Sequence, residues 1–210
     1  MKEAKVIIFD FDGTLVDSKK LYIETIHKNL LEHFFIYPKS HISKALGPKL
    51  EITLNNIQKF SPKIIKRLKI KINADIKIRA KSLKLTPYSK ETLQNLNKKG
   101  YNLILLTNSA GKFLKTVLKN QHIQGYFKKL FYAENFPNKE TAIKRIAKRY
   151  KVKVKDITYV ADKLSDVQIA RNVGCKIVIV LAKSWDKNQL KGKSYSISSL
   201  KQLAKKIKDN

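Results

Sequence analysis

Residues 5–14 read KVIIFDFDGT, and they carry the most informative pattern in the sequence. Residues 5–10 form an apolar run of strand length that ends in a carboxylate. Asp10 and Asp12 stand two residues apart, so their side chains project to the same side of an extended chain. Gly13 lets the chain turn sharply and exposes backbone N–H groups to an anion. Because like charges this close repel, the pair predicts a site for a hard divalent cation such as Mg²⁺. The alternative is a loop whose aspartates only cap the next turn.

Further along the chain, apolar runs alternate with helical patterns. The runs of strand length occupy residues 102–107, 130–133, 157–161 and 176–181. The helical patterns follow Pro87, follow Gly111, cover 140–150 and begin at Ser198 or Ser199. Runs that are apolar on both faces are typical of parallel strands covered by helices. The alternation therefore predicts an α/β fold with a doubly wound, Rossmann-like parallel sheet.

The segment 17–86 interrupts this alternation, because it is too long for a single crossover helix. Its apolar residues follow helical spacing, as they do at Ile65, Leu68, Ile72 and Ile76. Its turns are marked by Pro38, by Leu46-Gly47-Pro48 and by Ser61-Pro62. We therefore predict a core domain made of 1–16 and 87–210, with 17–86 as a helical insert.

A second acidic pair, Asp162 and Asp166, follows the apolar run at 157–161. Because the carboxyl ends of parallel strands lie on one edge of a sheet, we expect Asp162 to approach Asp10 and Asp12. Three such positions around one point make a Mg²⁺ site. Asp166 has an alternative role as the acidic residue in the first turn of a helix at 167–173, and the two roles are compatible.

Two further segments carry chemistry suited to a phosphate group. Thr107, Asn108 and Ser109 follow the second apolar run, where a hydroxyl and free backbone N–H groups can hold a phosphate oxygen. These residue types also cap helices in general. Lys139 precedes the helical pattern at 140–150, and an ammonium group at the sheet edge would neutralise a nucleophile and a phosphoryl group. In a lysine-rich chain, the argument for Lys139 is its position between the third and fourth strands.

The composition is that of a globular protein with an extreme charge. The chain has 210 residues and a formal net charge of +29. Three explanations of this charge are open. We favour the first, that lysine is simply the default surface residue, over steering of small anionic substrates, and we place a nucleic-acid partner third. The scarcity of arginine, which reads phosphates and bases better, counts against the last. The single cysteine, Cys175, fits a reducing compartment, and the N-terminal sequence does not read as a signal peptide. The sequence has no apolar run long enough to cross a bilayer. We therefore expect a cytoplasmic protein that does not span a membrane.

Together, these segments resemble the haloacid dehalogenase superfamily of phosphohydrolases. The resemblance is carried by DFDGT at 10–14, the run ending in Thr107, Lys139 before a helix, and VADKLSD at 160–166, in that order. It is strongest to the phosphoglycolate phosphatase-like branch, whose small all-helical cap domain lies between the first two motifs and corresponds here to 17–86. Glu140, Ala161 and Lys163 depart from the family pattern without removing a catalytic group.

The resemblance implies a role for each matched residue. Asp10 would be the nucleophile, and Asp12 would protonate the leaving oxygen and then activate water. Mg²⁺ would lie on the Asp10 carboxylate, the Asp12 backbone carbonyl and Asp162, with Asp166 in support. The phosphoryl group would be held by Thr107, Asn108 and Lys139.

The resemblance also implies that the cap selects the substrate, which makes Lys44, Gly47 and Lys49 candidates to meet the leaving group. The alternative is a plain turn between helices with solvated lysines. Trp185 is expected to pack in the C-terminal segment.

We therefore expect a magnesium-dependent phosphatase acting on a small phosphorylated substrate of the phosphoglycolate, sugar phosphate or nucleotide type, as a monomer or homodimer. Two alternatives remain. One is a phosphomutase of the same superfamily. The other, prompted by the lysines in 63–84 and 139–155, is a nucleic-acid-associated protein or an end phosphatase.

Overall fold

The computed structural model describes residues 5–47, 49–184 and 186–207. Two positions with expectations attached to them, Pro48 in a predicted turn and Trp185, lie outside the described residues. The chain divides into two compact units, one made of Met1–Asp17 with Lys84–Asn210 and the other of Ser18–Leu83.

The first unit is built on a parallel sheet of six strands in the order β3-β2-β1-β4-β5-β6. The strands are β1 (Val6–Phe9), β2 (Asn102–Leu106), β3 (Lys129–Phe131), β4 (Thr158–Ala161), β5 (Lys176–Val180) and β6 (Ser196–Ile197). The five apolar runs of the sequence supply β1 to β5. The two-residue strand β6 was not predicted, because it lies in a polar segment and carries no apolar run.

The described residues form ten α-helices. In chain order they are α1 (Lys19–Leu31), α2 (Lys39–Ala45), α3 (Leu50–Ile57), α4 (Pro62–Arg79), α5 (Ser89–Lys98), α6 (Gly111–Asn120), α7 (Lys139–Tyr150), α8 (Leu164–Val173), α9 (Lys187–Leu190) and α10 (Leu203–Lys206). Ser199 caps a short 3₁₀ turn that leads into α10, so the last predicted helix begins as a 3₁₀ segment. Among the described residues, no helix combines the length and the apolar character needed to cross a membrane.

The central strands are buried on both faces, which explains their unbroken apolar sequence. Side chains at alternate positions of β1, Val6 and Ile8, belong to one core cluster together with Ile143 and Ile146 of α7. Helix α8 joins the same cluster through Val167 and Ala170, while α5 packs on β2 and α10 packs on α5. Burial of β-branched residues on a pleated surface stabilises these strands.

The second unit, Ser18–Leu83, is helical throughout its regular elements in the described ranges. Arg79 donates to Glu24 at 2.5 Å and Lys28 to Asp75 at 3.2 Å, so α1 and α4 run antiparallel. The predicted stripe on α4 is buried: Ile65, Leu68, Ile72 and Ile76. The predicted fold class, a doubly wound parallel-sheet core with a small all-helical domain, is confirmed.

Candidate active site

The site lies at the carboxyl ends of the two central strands, β1 and β4. Asp10 follows β1 and Asp162 follows β4, and the Asp10 backbone N–H donates to the carbonyl of Val160 at 2.8 Å. The chain leaves these two strands toward opposite halves of the sheet, since β2 and β3 lie on one side and β5 and β6 on the other. Ligands of open α/β sheets bind at such a switch point.

Buried charge is concentrated here. Among the described residues, the charged side chains that are buried are Asp10, Asp12, Lys139, Asp162 and Asp166. Charged groups are rarely buried unless they are paired or bind a metal. Four carboxylates and one ammonium leave an excess of negative charge among buried groups, and a bound cation would neutralise it.

Three of the carboxylates form a cluster that suits a divalent metal. One oxygen each from Asp10, Asp162 and Asp166 lies within 4.8 Å of the others. Oδ2 of Asp166 is buried and, among the described residues, has no hydrogen-bond partner. A hard cation such as Mg²⁺ takes oxygen ligands and would offset both the repulsion and the unpaired oxygen. These residues therefore fit a divalent metal ion.

Lys139, the first residue of α7, is the basic side chain of the site. Its Nζ lies 3.0 Å from Oδ1 of Asp10 and 2.9 Å from Oδ1 of Asp166. It also donates to the Tyr159 hydroxyl at 2.7 Å, and that hydroxyl donates to Oδ1 of Asp166 at 2.8 Å. The Asn138 side chain caps α7 by accepting from Thr141 N–H, which fixes the position at which Lys139 enters the site.

Burial and charge shift the ionisation of these groups. Burial raises the pKa of Asp10, the Lys139 ammonium lowers it and the Asp166 carboxylate raises it, and together these effects leave that pKa at about 6. Burial lowers the pKa of Lys139, but the charges of Asp10 and Asp166 outweigh burial and hold that pKa above its usual range. For Asp166, burial raises the pKa but the neighbouring Lys139 ammonium outweighs it, so the pKa is lowered. Lys139 therefore stays charged beside the carboxylates.

Asp12 is oriented differently from the other carboxylates. Its Oδ2 accepts a hydrogen bond from Ser109 Oγ at 2.5 Å. Its Oδ1 is buried and, among the described residues, has no hydrogen-bond partner. The cluster of three carboxylates consists of Asp10, Asp162 and Asp166, and the Asp12 side chain, which is predicted to carry a proton, is not a member of it.

Gly13 and Thr14 bring the turn after β1 against Asp162. Gly13 has φ +79°, a conformation that other residues rarely adopt, and its Cα faces the Asp162 carboxylate so closely that a β-carbon would collide with it. Thr14 Oγ1 donates to Oδ1 of Asp162 at 3.4 Å. The turn therefore needs glycine for two reasons, its backbone angle and its lack of a side chain.

The predicted phosphate-binding residues Thr107 and Asn108 lie in the turn after β2. Thr107 is buried, and its Oγ1 accepts from the backbone N–H of Ser109 at 3.0 Å. Asn108 is half-buried in the same turn. Because Ser109 contacts Asp12, this turn lies against the turn that follows β1.

The candidate specificity residues belong to the helical unit. Lys44 is exposed in the last turn of α2, and Lys49 is exposed just before α3. Gly47 donates its backbone N–H to Thr53 Oγ1 at 2.9 Å, and a β-carbon there would lie 2.8 Å from Ile52 Cγ2. Packing within the turn is therefore one sufficient reason for glycine at this position.

Two structural roles were missed in the sequence. Tyr159 bridges Lys139 and Asp166, and its signal was a hydroxyl inside a buried strand, where such a group needs a partner. The loop after β5 supports the start of α8, since Ser184 Oγ donates to the Asp162 carbonyl and Asp186 accepts from Leu164 N–H. No pattern in the sequence indicates this role, because the loop after β5 makes these contacts with residues that follow the neighbouring strand β4.

The fold and this site define an α/β enzyme with a lysine-linked carboxylate cluster at the switch point of a parallel sheet. Residues 7–180 match the family model of haloacid dehalogenase-like hydrolases, and the chain belongs to that family. The resemblance seen in the sequence is thereby confirmed.

The comparisons with individual proteins agree with the family. The chain is 27% identical over 187 residues to a phosphoglycolate phosphatase of Vibrio vulnificus, covering 83% of this chain and 82% of that protein. It is 24% identical over 194 residues to the pyrophosphatase PpaX of Bacillus mycoides, covering 90% and 86%. The fold is shared with a predicted phosphoglycolate phosphatase from Haemophilus somnus, with a TM-score of 0.86, 20% identity and 98% of each chain covered.

Proposed function

We propose that this protein is a Mg²⁺-dependent phosphatase that hydrolyses a small phosphate monoester through an aspartyl-phosphate on Asp10. One observation carries the proposal: Asp10 Oδ1 lies 3.0 Å from the Lys139 ammonium and belongs to a buried cluster with Asp162 and Asp166. Phosphoryl transfer depends mainly on positioning and charge neutralisation, and this cluster is built for both. Relatives named as phosphatases support the same reaction class.

In the first half of the reaction, a carboxylate oxygen of Asp10 attacks phosphorus. The bond from phosphorus to the ester oxygen breaks as the new bond to Asp10 forms, and Asp12 gives its proton to the departing alcohol. In the second half, Asp12 takes a proton from water, whose oxygen attacks phosphorus. The bond to Asp10 breaks, inorganic phosphate leaves, and both carboxyl groups return to their starting states.

Other residues of the chain hold the phosphoryl group in place. Lys139 keeps its positive charge beside the attacking oxygen and neutralises charge on the phosphoryl group. Thr107 and the backbone N–H groups of Phe11, Asp12 and Asn108 complete the cradle. These assignments are supported by the burial of Thr107 and by the contact between the turns after β1 and β2.

Asp10, the Asp12 backbone carbonyl and Asp162 would hold Mg²⁺, with Asp166 in support. When bound, the ion supplies positive charge that lets the Asp10 carboxylate approach an anionic phosphoryl group. Asp166 already accepts from Lys139 and Tyr159 through Oδ1, which leaves Oδ2 as the oxygen available for this support.

For the substrate we propose the class of small phosphate monoesters, to which phosphoglycolate belongs, and no single compound, because another relative is named as a pyrophosphatase. We propose the helical unit as the cap domain, with Lys44, Gly47 and Lys49 as its specificity residues. Lys44→Ala and Lys49→Ala would then raise KM for a charged metabolite and leave p-nitrophenyl phosphate unaffected. Unchanged KM across a metabolite panel would remove these residues from the proposal.

The reaction is tested with purified protein, p-nitrophenyl phosphate and a panel of phosphorylated metabolites, with Mg²⁺ and then with excess chelator. We expect turnover that needs the metal and that disappears in Asp10→Asn. Turnover that survives both changes would refute the proposal. Phosphorus NMR of the products separates hydrolysis, which releases inorganic phosphate, from transfer of the phosphoryl group to a second hydroxyl of a sugar.

A further inference from the structure

The contact between Ser109 and Asp12 joins two turns that the sequence separates by almost a hundred residues. Ser109 Oγ donates to Oδ2 of Asp12 at 2.5 Å, and both side chains are buried. The other oxygen of the carboxyl group, Oδ1, is buried and, in the described part of the chain, has no hydrogen-bond partner. The two oxygens of one carboxyl group are therefore inequivalent.

The backbone holds Ser109 on both sides of this side chain. Its N–H donates to Thr107 Oγ1 at 3.0 Å, and its carbonyl accepts from the N–H of Ala133 at 3.1 Å. A serine fixed in this way presents its hydroxyl in one direction. The Asp12 carboxyl plane is set by that hydroxyl, since rotation about its terminal bond is otherwise broad.

We propose that Ser109 is a positioning residue that occupies Oδ2 of Asp12 and so keeps Oδ1 as the oxygen that carries the proton to the leaving group. This inference rests on the proposed function, in which Asp12 is the proton donor. In the first half of the reaction the proton passes from Oδ1 to the ester oxygen while the bond from that oxygen to phosphorus breaks. Ser109 keeps its own proton throughout and touches neither substrate nor metal.

The inference predicts a loss that depends on the leaving group. A leaving group that departs readily as an anion needs little proton donation, whereas a poor leaving group needs it fully. The ratio kcat/KM reports the steps up to departure of the alcohol, so it isolates this half of the reaction. Phenyl phosphate and p-nitrophenyl phosphate are the probes, because both are aryl monoesters that differ only by a para-nitro group, which makes the departing phenol more acidic.

For Ser109→Ala we expect kcat/KM for phenyl phosphate to fall about tenfold and that for p-nitrophenyl phosphate to fall less than about threefold. Ser109→Thr keeps the hydroxyl and should restore the ratio between the two substrates. Asp12→Asn removes the proton donor itself, so it should show the largest selective fall in kcat/KM for phenyl phosphate. Ser89→Ala is the matched control, since Ser89 is a buried serine whose hydroxyl donates to the Leu15 carbonyl, and any loss there should be the same for both substrates.

Equal losses for the two substrates in Ser109→Ala would overturn the inference, because they would assign Ser109 to folding or to phosphate binding. Should Ser109→Ala fail to fold, Ser109→Cys, which keeps a side chain of similar shape but donates weakly, must show the same selectivity. Failure of the proposed function is recognised separately, since Asp10→Asn would then retain p-nitrophenyl phosphatase activity.

Discussion

A β-carbon on Gly13 would overlap Oδ2 of Asp162. Real side chains do not approach a carboxylate oxygen so closely, so any residue other than glycine would displace Asp162. Gly13 of the first motif thus leaves the space that Asp162 of the last motif occupies, 149 positions further along the chain by residue number (162 − 13). The turn after β1 and the acidic residue after β4 can therefore pack together only because Gly13 has no side chain.

This relationship predicts that Gly13→Ala sharply lowers activity. Gly100→Ala is a matched control, since Gly100 has φ +78° and, apart from its chain neighbours, no atom of the described residues lies within 4 Å of the place that a β-carbon would take there. Both variants should lose about 1 kcal/mol of unfolding free energy from backbone strain. Only Gly13→Ala should lose turnover, on the order of a hundredfold, because displaced catalytic groups cost about that much. Equal activities in the two variants would contradict the role assigned to the contact.

Tyr159 predicts an effect on both stability and catalysis. Tyr159→Phe removes a buried hydroxyl that joins Lys139 at 2.7 Å and Asp166 at 2.8 Å. Because both partners are charged, the loss should cost about 2 kcal/mol of unfolding free energy, measured by urea denaturation. Lys139 keeps its contacts with two carboxylates, so kcat should fall only about tenfold. Tyr150→Phe, in α7 against the same core, is the control and should leave kcat unchanged.

Much of the core could be predicted because its signals are local. Each of the strands β1, β2, β4 and β5 is made mostly of apolar residues, and the motif residues Asp10 and Asp162 directly follow two of them. Parallel strands place such residues on one edge, so their proximity followed from the topology. Strand β6 could not be predicted in the same way, because its two residues lie in a polar segment and are recognised as a strand only by their pairing with β5.

The contacts inside the site were harder to predict than its members. The bond from Ser109 to Asp12 depends on the angle between two turns, and the bridge by Tyr159 depends on which face of β4 meets α7. Neither the angle between the turns nor the face of β4 that meets α7 can be read from the spacing of residues in the sequence. Likewise, the pairing of Asp162 with Gly13 depends on an approach between backbones, which only the folded chain defines.

The acidic cluster predicts that Mg²⁺ stabilises the folded protein. A ligand that binds only the folded state at a hundred times its dissociation constant adds about 2.7 kcal/mol. For a chain of this size that amounts to a rise in Tm of roughly 5–10 °C. In Asp162→Asn the rise should largely disappear, while Tm without metal should be no lower than that of the unaltered protein, because one of four crowded negative charges is gone.

Asp156→Asn is the control for this measurement, since Asp156 is exposed in a 3₁₀ turn outside the cluster. It should show the full rise in Tm with Mg²⁺. A rise of the same size in Asp162→Asn would mean that the metal binds elsewhere on the protein.

In the helical unit, we predict that a carboxylate bonded to a buried amide stabilises the fold more than an exposed carboxylate paired with a lysine. Asp75 on α4 accepts from Lys28 at 3.2 Å and from the buried Asn29 amide at 3.0 Å, both on α1. Asp75→Ala leaves that amide without this acceptor, so we expect a loss of about 1 kcal/mol of unfolding free energy in urea. Glu51→Ala breaks the 2.7 Å pair with Lys69, but the Glu51 side chain is 56% exposed and water replaces the lost partner. Glu51→Ala should therefore destabilise the protein less than Asp75→Ala does. A larger loss in Glu51→Ala than in Asp75→Ala would contradict the weight given to the bond between Asp75 and the buried Asn29 amide.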